Sequence, residues 1–223
     1  MKMQLEEVKQ ELCLQDLENY NPITIQCHDN PDADTIASGY GLYCYFRDKG
    51  KDVRLVYSGR NVIQKSNLTL MLQLLNIPVE YIPVEEIPAH CPGLLITADC
   101  QYGAGNVTHI GADEVAIIDH HQREIEDVEL TRIHSGLGSC STLVWKMLTE
   151  AGYEVTDENN LGTALYYGLY TDTNQFSELF NPLDRDARDI LPFQPSLITT
   201  FRNSNISLEE LDIAGIAMRE YYY

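Results

Sequence analysis

The chain has 223 residues, 44% hydrophobic and 22% charged, and its 34 Asp+Glu against 15 Lys+Arg give a formal charge of −19. Such a composition suits one folded core, or one domain with a piece of a second, and excludes a disordered polyelectrolyte. It also excludes a basic track for a long nucleic acid, and no apolar run nears the ~18 residues of a membrane span.

Met1 is followed by "KMQLEEVKQELCLQDL", acidic and amphipathic without the apolar centre of a signal peptide, so a cytoplasmic protein is expected. Leu5, Val8, Leu12 and Leu17 fall on a helical spacing, which predicts an N-terminal helix over roughly 4–19. "ITIQC" (23–27) reads as a short apolar strand, and "TIASGYGLYCYFRDKG" as a helix stopped at Lys49-Gly50. "DVRLVYSG" (52–59) is a second strand and "VIQKSNLTLMLQLLN" (62–76) a second helix. "GLLITAD" (93–99) and "EVAIID" (114–119) are continuous apolar strands, as expected when both sheet faces are covered. Helices follow at 139–152, with Ser139 as N-cap, and at 158–173. The tail holds "LDRDARDILPF" and "SLEELDIAGIAMREYYY", the latter opened by a Ser207/Glu210 capping box. Strands separated by helices predict an α/β fold, a mainly parallel sheet flanked by helices on both faces. Three parts are expected: helix 1–19, domain 20–185 and helical extension 186–223. The six dispersed cysteines (13, 27, 44, 91, 100, 140) show no CxxC, so reduced and mostly buried thiols are expected.

Within this frame "HDNPDAD" gathers His28, Asp32 and Asp34 into seven residues. Carboxylates so close repel unless a cation sits among them. Asp99 closes "LLITADC", Asp119, His120 and His121 close "VAIIDHH", and Asp172 stands where a predicted helix ends in "LYTDTNQF". Ligands of parallel sheets bind beyond the carboxyl ends of strands, and His28, Asp99 and the 119–121 group each follow a predicted strand. A pair of divalent cations ~3.5–4 Å apart needs a set of hard oxygen and imidazole donors with one bridging carboxylate. Such donors suit Mn²⁺ or Mg²⁺, with Zn²⁺, Co²⁺ or Fe²⁺ as competitors. Two further stretches carry weaker signals. "SGLGSCST" before a helix offers N–H groups and hydroxyls to a phosphate or is an ordinary N-cap loop, and "QYGAGN" (101–106) is a lid or a plain turn. His90, His109 and His134 read as surface or satisfied residues, Trp145 as core, and the three terminal tyrosines carry no functional reading.

In their order, "HDNPDAD", the Asp of "TADC", "DHH" and "YTDT" resemble the motifs of the DHH phosphoesterase family, of RecJ-like and nanoRNase type, over roughly residues 20–185. The resemblance implies two Mn²⁺ ions, with Mg²⁺, Co²⁺ or Zn²⁺ as substitutes. His28 and Asp32 would bind one, Asp34, His120 and Asp172 the other, and Asp99 would bridge both. His121 would meet the substrate phosphate as donor or proton carrier, Asp119 would orient a neighbouring His, and a metal-bridging hydroxide would attack phosphorus. Relatives of this kind generally carry a second, C-terminal domain with cationic substrate contacts. After Phe176 there are few basic residues and no glycine-rich anion loop, so the chain is expected to end short of such a domain. The expected function is hydrolysis of phosphoesters in small nucleotides or short oligonucleotides, of the kind that the resemblance implies for nanoRNases that also dephosphorylate adenosine 3′,5′-bisphosphate. The alternative is a manganese pyrophosphatase or exopolyphosphatase, and a non-enzymatic metal-binding or nucleotide-sensing module is a third reading. The partner is a small phosphorylated substrate, not long duplex nucleic acid or a membrane, and a homodimer is compatible with this.

Overall fold

The computed structural model describes residues 11–204 and 208–220. Its strands are β1 (Ile23–Cys27), β2 (Val53–Tyr57), β3 (Val79–Tyr81), β4 (His90–Ala98), β5 (Gly111–Asp119) and β6 (Leu130–Ile133). The helices are α1 (Ala33–Asp48), α2 (Ser66–Leu75), α3 (Cys140–Glu150), α4 (Leu161–Asp172), α5 (Pro182–Ile190), α6 (Pro195–Asn203) and α7 (Leu208–Glu220). All six strands run parallel in the order β3-β2-β1-β4-β5-β6. The α/β class and parallel sheet are thus as the strand–helix alternation predicts.

This order positions the site. The chain builds outward from β1 to β3, then returns to start again at β4 on the other side of β1. At such a reversal the connections leave in opposite directions and open a crevice beyond the strand ends. Cys27 pairs with Ala98, and Ala98 with Ile118, so His28, Asp99 and Asp119 emerge side by side.

β1 is buried along its whole length because both its faces are covered. Ile23, Ile25 and Cys27 face the main core with Leu55, Leu94, Ile96, Ala116 and Ile118, under α1, α3 and α4. On the opposite face, for which helical cover is also predicted, Leu95 and Cys91 pack against Ile87, Tyr102 and Ile110 from the connections flanking β4. Loops thus supply this second cover among the described residues. Gly168 explains how closely the helices approach: a Cβ there would lie 2.2 Å from Ser141 Oγ and 3.0 Å from both Ala37 Cβ and Asp34 Oδ1. α4 can reach the start of α1 only because that position has no side chain.

Several elements differ from expectation. Of the predicted helix 4–19, residues 1–10 lie outside the described residues, and the rest forms a 3-10 turn at Leu14–Leu17. Leu14 and Leu17 are buried, and Asp16 accepts the Cys13 N–H at 2.9 Å. α2 starts at Ser66 rather than 62, and in the connection before it the Ile63 N–H donates to the Tyr57 hydroxyl at 3.0 Å. The short strands β3 and β6, three and four residues long, carry no usable alternation. A boundary at 185/186 falls inside α5, and beyond it Ala187, Leu191 and Phe201 are buried in the main core. Ser207 of the predicted capping box lies outside the described residues. All six cysteines are unpaired and five are buried. No helix of the described residues is long and apolar enough to cross a membrane.

Candidate metal centre

Asp32 is both a folding residue and a candidate ligand. As N-cap of α1 its Oδ1 accepts the N–H groups of Asp34 and Thr35, at 2.9 and 3.1 Å. Oδ2 is left for His28, whose Nε2 lies 3.6 Å away. Asp99 follows β4 in a left-handed conformation, φ 62°, which a residue other than glycine seldom adopts. Its N–H is anchored to Ile118 O at 2.9 Å, and the turn drives the carboxylate into the crevice. Asp99 Oδ2 lies 3.8 Å from His28 Nε2, and its Oδ1 lies 3.3 Å from His120 Nε2.

His120 Nδ1 faces the Leu137 carbonyl at 3.1 Å, so Nδ1 carries the proton and Nε2 presents a lone pair. Around that lone pair stand Asp172 Oδ2 at 3.2 Å, Asp99 Oδ1 at 3.3 Å and Asp34 Oδ2 at 3.8 Å. Asp34, fully buried, is locked by the start of α3, where the N–H groups of Cys140 and Ser141 donate to its two oxygens at 2.7 and 2.8 Å. This answers the question raised by "SGLGSCST": the helix N-terminus holds a side chain of the protein rather than a phosphate, and Ser139 is the N-cap.

The electrostatics are those of a site built for positive charge. Asp99 Oδ1 is buried and receives no hydrogen bond of good geometry. Burial pushes the Asp99 carboxyl up to about 6, despite the neighbouring His120. Burial, then the charges of Asp99 and Asp172, push Asp34 well above the ordinary carboxylate range. Burial opposes protonation of His120, yet the carboxylates of Asp172, Asp99 and Asp34 gathered around its Nε2 raise it to about 12. Protons must therefore be drawn in wherever cations are not. The donor set fits cations as well. His28, Asp32 and Asp99 form one group, and Asp34, His120 and Asp172 another, with all donor atoms of each within 4.8 Å of one another. Bonds of about 2.1 Å to a common ion set adjacent donors about 3.0–3.5 Å apart.

A third grouping, Asp99, His120 and His121, also has metal-like spacing. However, His121 Nδ1 is bonded to Asp119 Oδ1 at 2.8 Å, and the ring is 58% exposed, so Nε2 is turned toward an open cleft. Asp119 is held in turn by the His120 N–H and by Gln101 Nε2, both at 2.8 Å. Burial would raise the Asp119 carboxyl, but the bonds from His121 and Gln101 hold it below the usual range, so it stays ionised beside the imidazole.

The buried Gln101 carries no motif, and sequence reasoning missed it. Besides Asp119 it binds Gln122 O, and its Oε1 accepts the N–H groups of Glu124 and Ile125. The 101–106 stretch is therefore an anchored turn. It borders a cleft of about 340 Å³ whose wall also includes Asp119, His121 and Glu124. Asp184, fully buried, was missed too; it accepts the Gly138 N–H at 2.8 Å and so steadies the loop leading into α3. His90 and His109 are paired with Asp113 and Tyr102, outside the cluster, and His134 caps Gly136.

The chain is 26% identical over 199 residues to the uncharacterised protein MJ1633 of Methanocaldococcus jannaschii, covering 88% of this chain and 40% of that one. It is similar in structure to an exopolyphosphatase-related protein from Bacteroides fragilis, with a TM-score of 0.65, 18% identity and coverage of 94% of this chain and 64% of that one. A crystal structure of the exonuclease RecJ bound to manganese matches with a TM-score of 0.42 and 16% identity, over 78% of this chain and 44% of that one. The chain thus spans less than two thirds of the length of these relatives. Residues 22–169 match the DHH family, N-terminal domain. With the cluster standing where β1, β4 and β5 end, and with two thirds of its length inside that match, the chain belongs to the DHH family.

Proposed function

We propose that the chain is a divalent-metal-dependent phosphoesterase acting on small nucleotides or short oligonucleotides. The observation that carries this reading is the Asp99 carboxylate, whose two oxygens face two different imidazoles, His28 and His120. His28, Asp32 and Asp99 Oδ2 would hold one cation, and Asp34, His120, Asp172 and Asp99 Oδ1 the other. When bound, such a pair supplies an acidified water and neutralises charge developing on phosphoryl oxygens. Mn²⁺ is the expected ion, with Mg²⁺, Co²⁺ and Zn²⁺ as substitutes.

The protein's own residues do the rest. Asp119 fixes His121 so that its Nε2–H points into the cleft, where it can bond a phosphoryl oxygen or pass a proton to the leaving alcohol. Gln101 keeps Asp119 in place, and the amides of α3 keep Asp34 in place. A phosphoanhydride substrate is less well served, because the cleft at His121 carries Asp119 and Glu124 and no Lys or Arg in its lining.

A substrate panel in Mn²⁺ tests the reading. The chain is expected to hydrolyse 4-nitrophenyl phosphate slowly, to cleave dinucleotides in preference to pyrophosphate and tripolyphosphate, and to lose both activities in chelator. Faster release of phosphate from pyrophosphate or tripolyphosphate than from any ester would overturn it.

A further inference from the structure

Beyond the residues 22–169 that match the family's domain, "NPLDRDARDI" (181–190) opens α5 with the signals of a helix start. Asn181 is the N-cap, Pro182 stands at the first position and Asp184 in the first turn. Asn181 Oδ1 accepts the Leu183 N–H at 2.9 Å, and its Nδ2 donates to Gly136 O at 2.9 Å. The start of α5 is thereby tied to the loop that leads into α3.

Asp184 makes a second tie of a different kind. It is fully buried, and among the described residues its carboxylate accepts one hydrogen bond, from the Gly138 N–H at 2.8 Å, while its Oδ1 has no partner. The adjacent Arg185 is turned to Leu179 O instead. A carboxylate in such a place costs stability, and an asparagine would accept the same N–H at lower cost. Steadying the loop does not account for the charge.

The peptide group that Asp184 touches does. The Gly138 N–H belongs to the same planar unit as the Leu137 carbonyl, and that carbonyl accepts the His120 Nδ1–H at 3.1 Å. A continuous line thus runs from Asp184 Oδ2 through the 137–138 peptide to His120, whose Nε2 faces Asp34, Asp99 and Asp172. The unit is wedged in place. A Cβ on residue 138 would lie 2.7 Å from Thr173 Cγ2 and 3.1 Å from Asp184 Oδ2, so a larger residue would force the two apart. Negative charge at the N–H end draws electron density toward the carbonyl oxygen, and hydrogen bonds in such a chain strengthen one another. The neighbouring His121 has its Nδ1 on a carboxylate directly, that of Asp119. His120 has one at the distance of a single peptide.

We infer that Asp184 is a positioning residue of the metal centre: through the Leu137–Gly138 peptide it fixes the His120 ring and makes Nε2 a stronger cation ligand. This rests on the reading of His120 as such a ligand, and it extends the centre to α5.

Asp184→Asn tests it, since it keeps the shape and an oxygen for the Gly138 N–H and removes the charge. In the metal-free chain and in the diamagnetic Zn²⁺-loaded chain, the NMR signal of the His120 Nδ1–H, assigned by its loss in His120→Gln, should move upfield. Asp184→Ser, smaller and uncharged, should move it the same way. The metal-free melting temperature of Asp184→Asn should hold or rise. One of two Mn²⁺ ions should nevertheless bind about tenfold more weakly, the lower end of what a lost partner of a metal-bound histidine costs. Asn181→Ala, which cuts the other tie and the N-cap, should do the reverse, lowering the melting temperature and leaving the His120 signal and both affinities in place. A His120 signal or Mn²⁺ affinities unmoved by the loss of charge, equal weakening of both ions, or the same changes in Asn181→Ala would make Asp184 a loop tie only and overturn the inference. If the signal follows residue 184 while the wild type binds no Mn²⁺, the metal reading falls and the link from Asp184 to His120 stands.

Discussion

Asp99→Asn should abolish metal-dependent hydrolysis while leaving the fold intact. Asn tolerates the left-handed backbone that Asp99 adopts, and it is nearly isosteric, so the β4–β5 turn has no reason to rearrange. What is lost is one charge and one of two oxygens, each of which faces a different imidazole. An amide presents oxygen to one side only, and its NH₂ repels a cation on the other. The loss in kcat should exceed about 10³, the upper scale for removing one preorganised electrostatic group, because this residue serves both ions. Stability should move in the opposite sense. Without metal the substitution removes a buried carboxylate from a crowded set, so the apo melting temperature should hold or rise. With metal the wild type gains RT ln(1+[L]/Kd), about 2.7 kcal/mol at a hundredfold excess over Kd, and the variant should gain distinctly less. Melting curves with and without Mn²⁺ check both signs. A variant that keeps the wild-type Mn²⁺ response and turnover would remove Asp99 from the bridging position.

His121→Ala should behave differently, with turnover falling by about 10²–10⁴, the usual effect of losing a positioned acid–base group, and Mn²⁺ binding unchanged. The ring is more than half exposed and bonded to Asp119 rather than directed at the two ligand groups. Asp119→Asn should give a loss of similar size. Its amide must set an NH₂ against either the His121 Nδ1–H or the Gln101 Nε2–H, so either the ring loses its tautomer or the bond that holds residue 119 in place turns repulsive. Steady-state kinetics beside a Mn²⁺ titration separates these roles. If His121→Ala weakened Mn²⁺ binding while Asp99→Asn did not, the two assignments would be exchanged.

Much of the candidate site was legible because its residues follow apolar strands: His28 after "ITIQC", Asp99 after "LLITA", His120 after "VAIID". A polar residue at the carboxyl end of a buried parallel strand projects from the sheet edge, so three strands read correctly bring three such residues together. Strand order was not legible. Nothing local to "GLLITAD" says that it lies beside β1 rather than β3, and the crevice owes its position to that reversal. Contacts between distant segments were hidden in the same way. Asp34 sits 106 residues from the Cys140 amide that fixes it, so the loop before α3 looked open to a phosphate. Gln101 looked like a turn residue because its four partners are revealed only by the folded 119–125 connection.

The central claim is that Asp99 joins two cation sites built from His28 and Asp32 on one side and Asp34, His120 and Asp172 on the other. Crystals grown in Mn²⁺, with anomalous scattering recorded at the manganese edge, test it most directly. Two peaks about 3.5–4 Å apart, flanking the Asp99 carboxylate and each within bonding distance of one of its oxygens, are predicted. A single peak, or two peaks that do not share Asp99, would contradict the account.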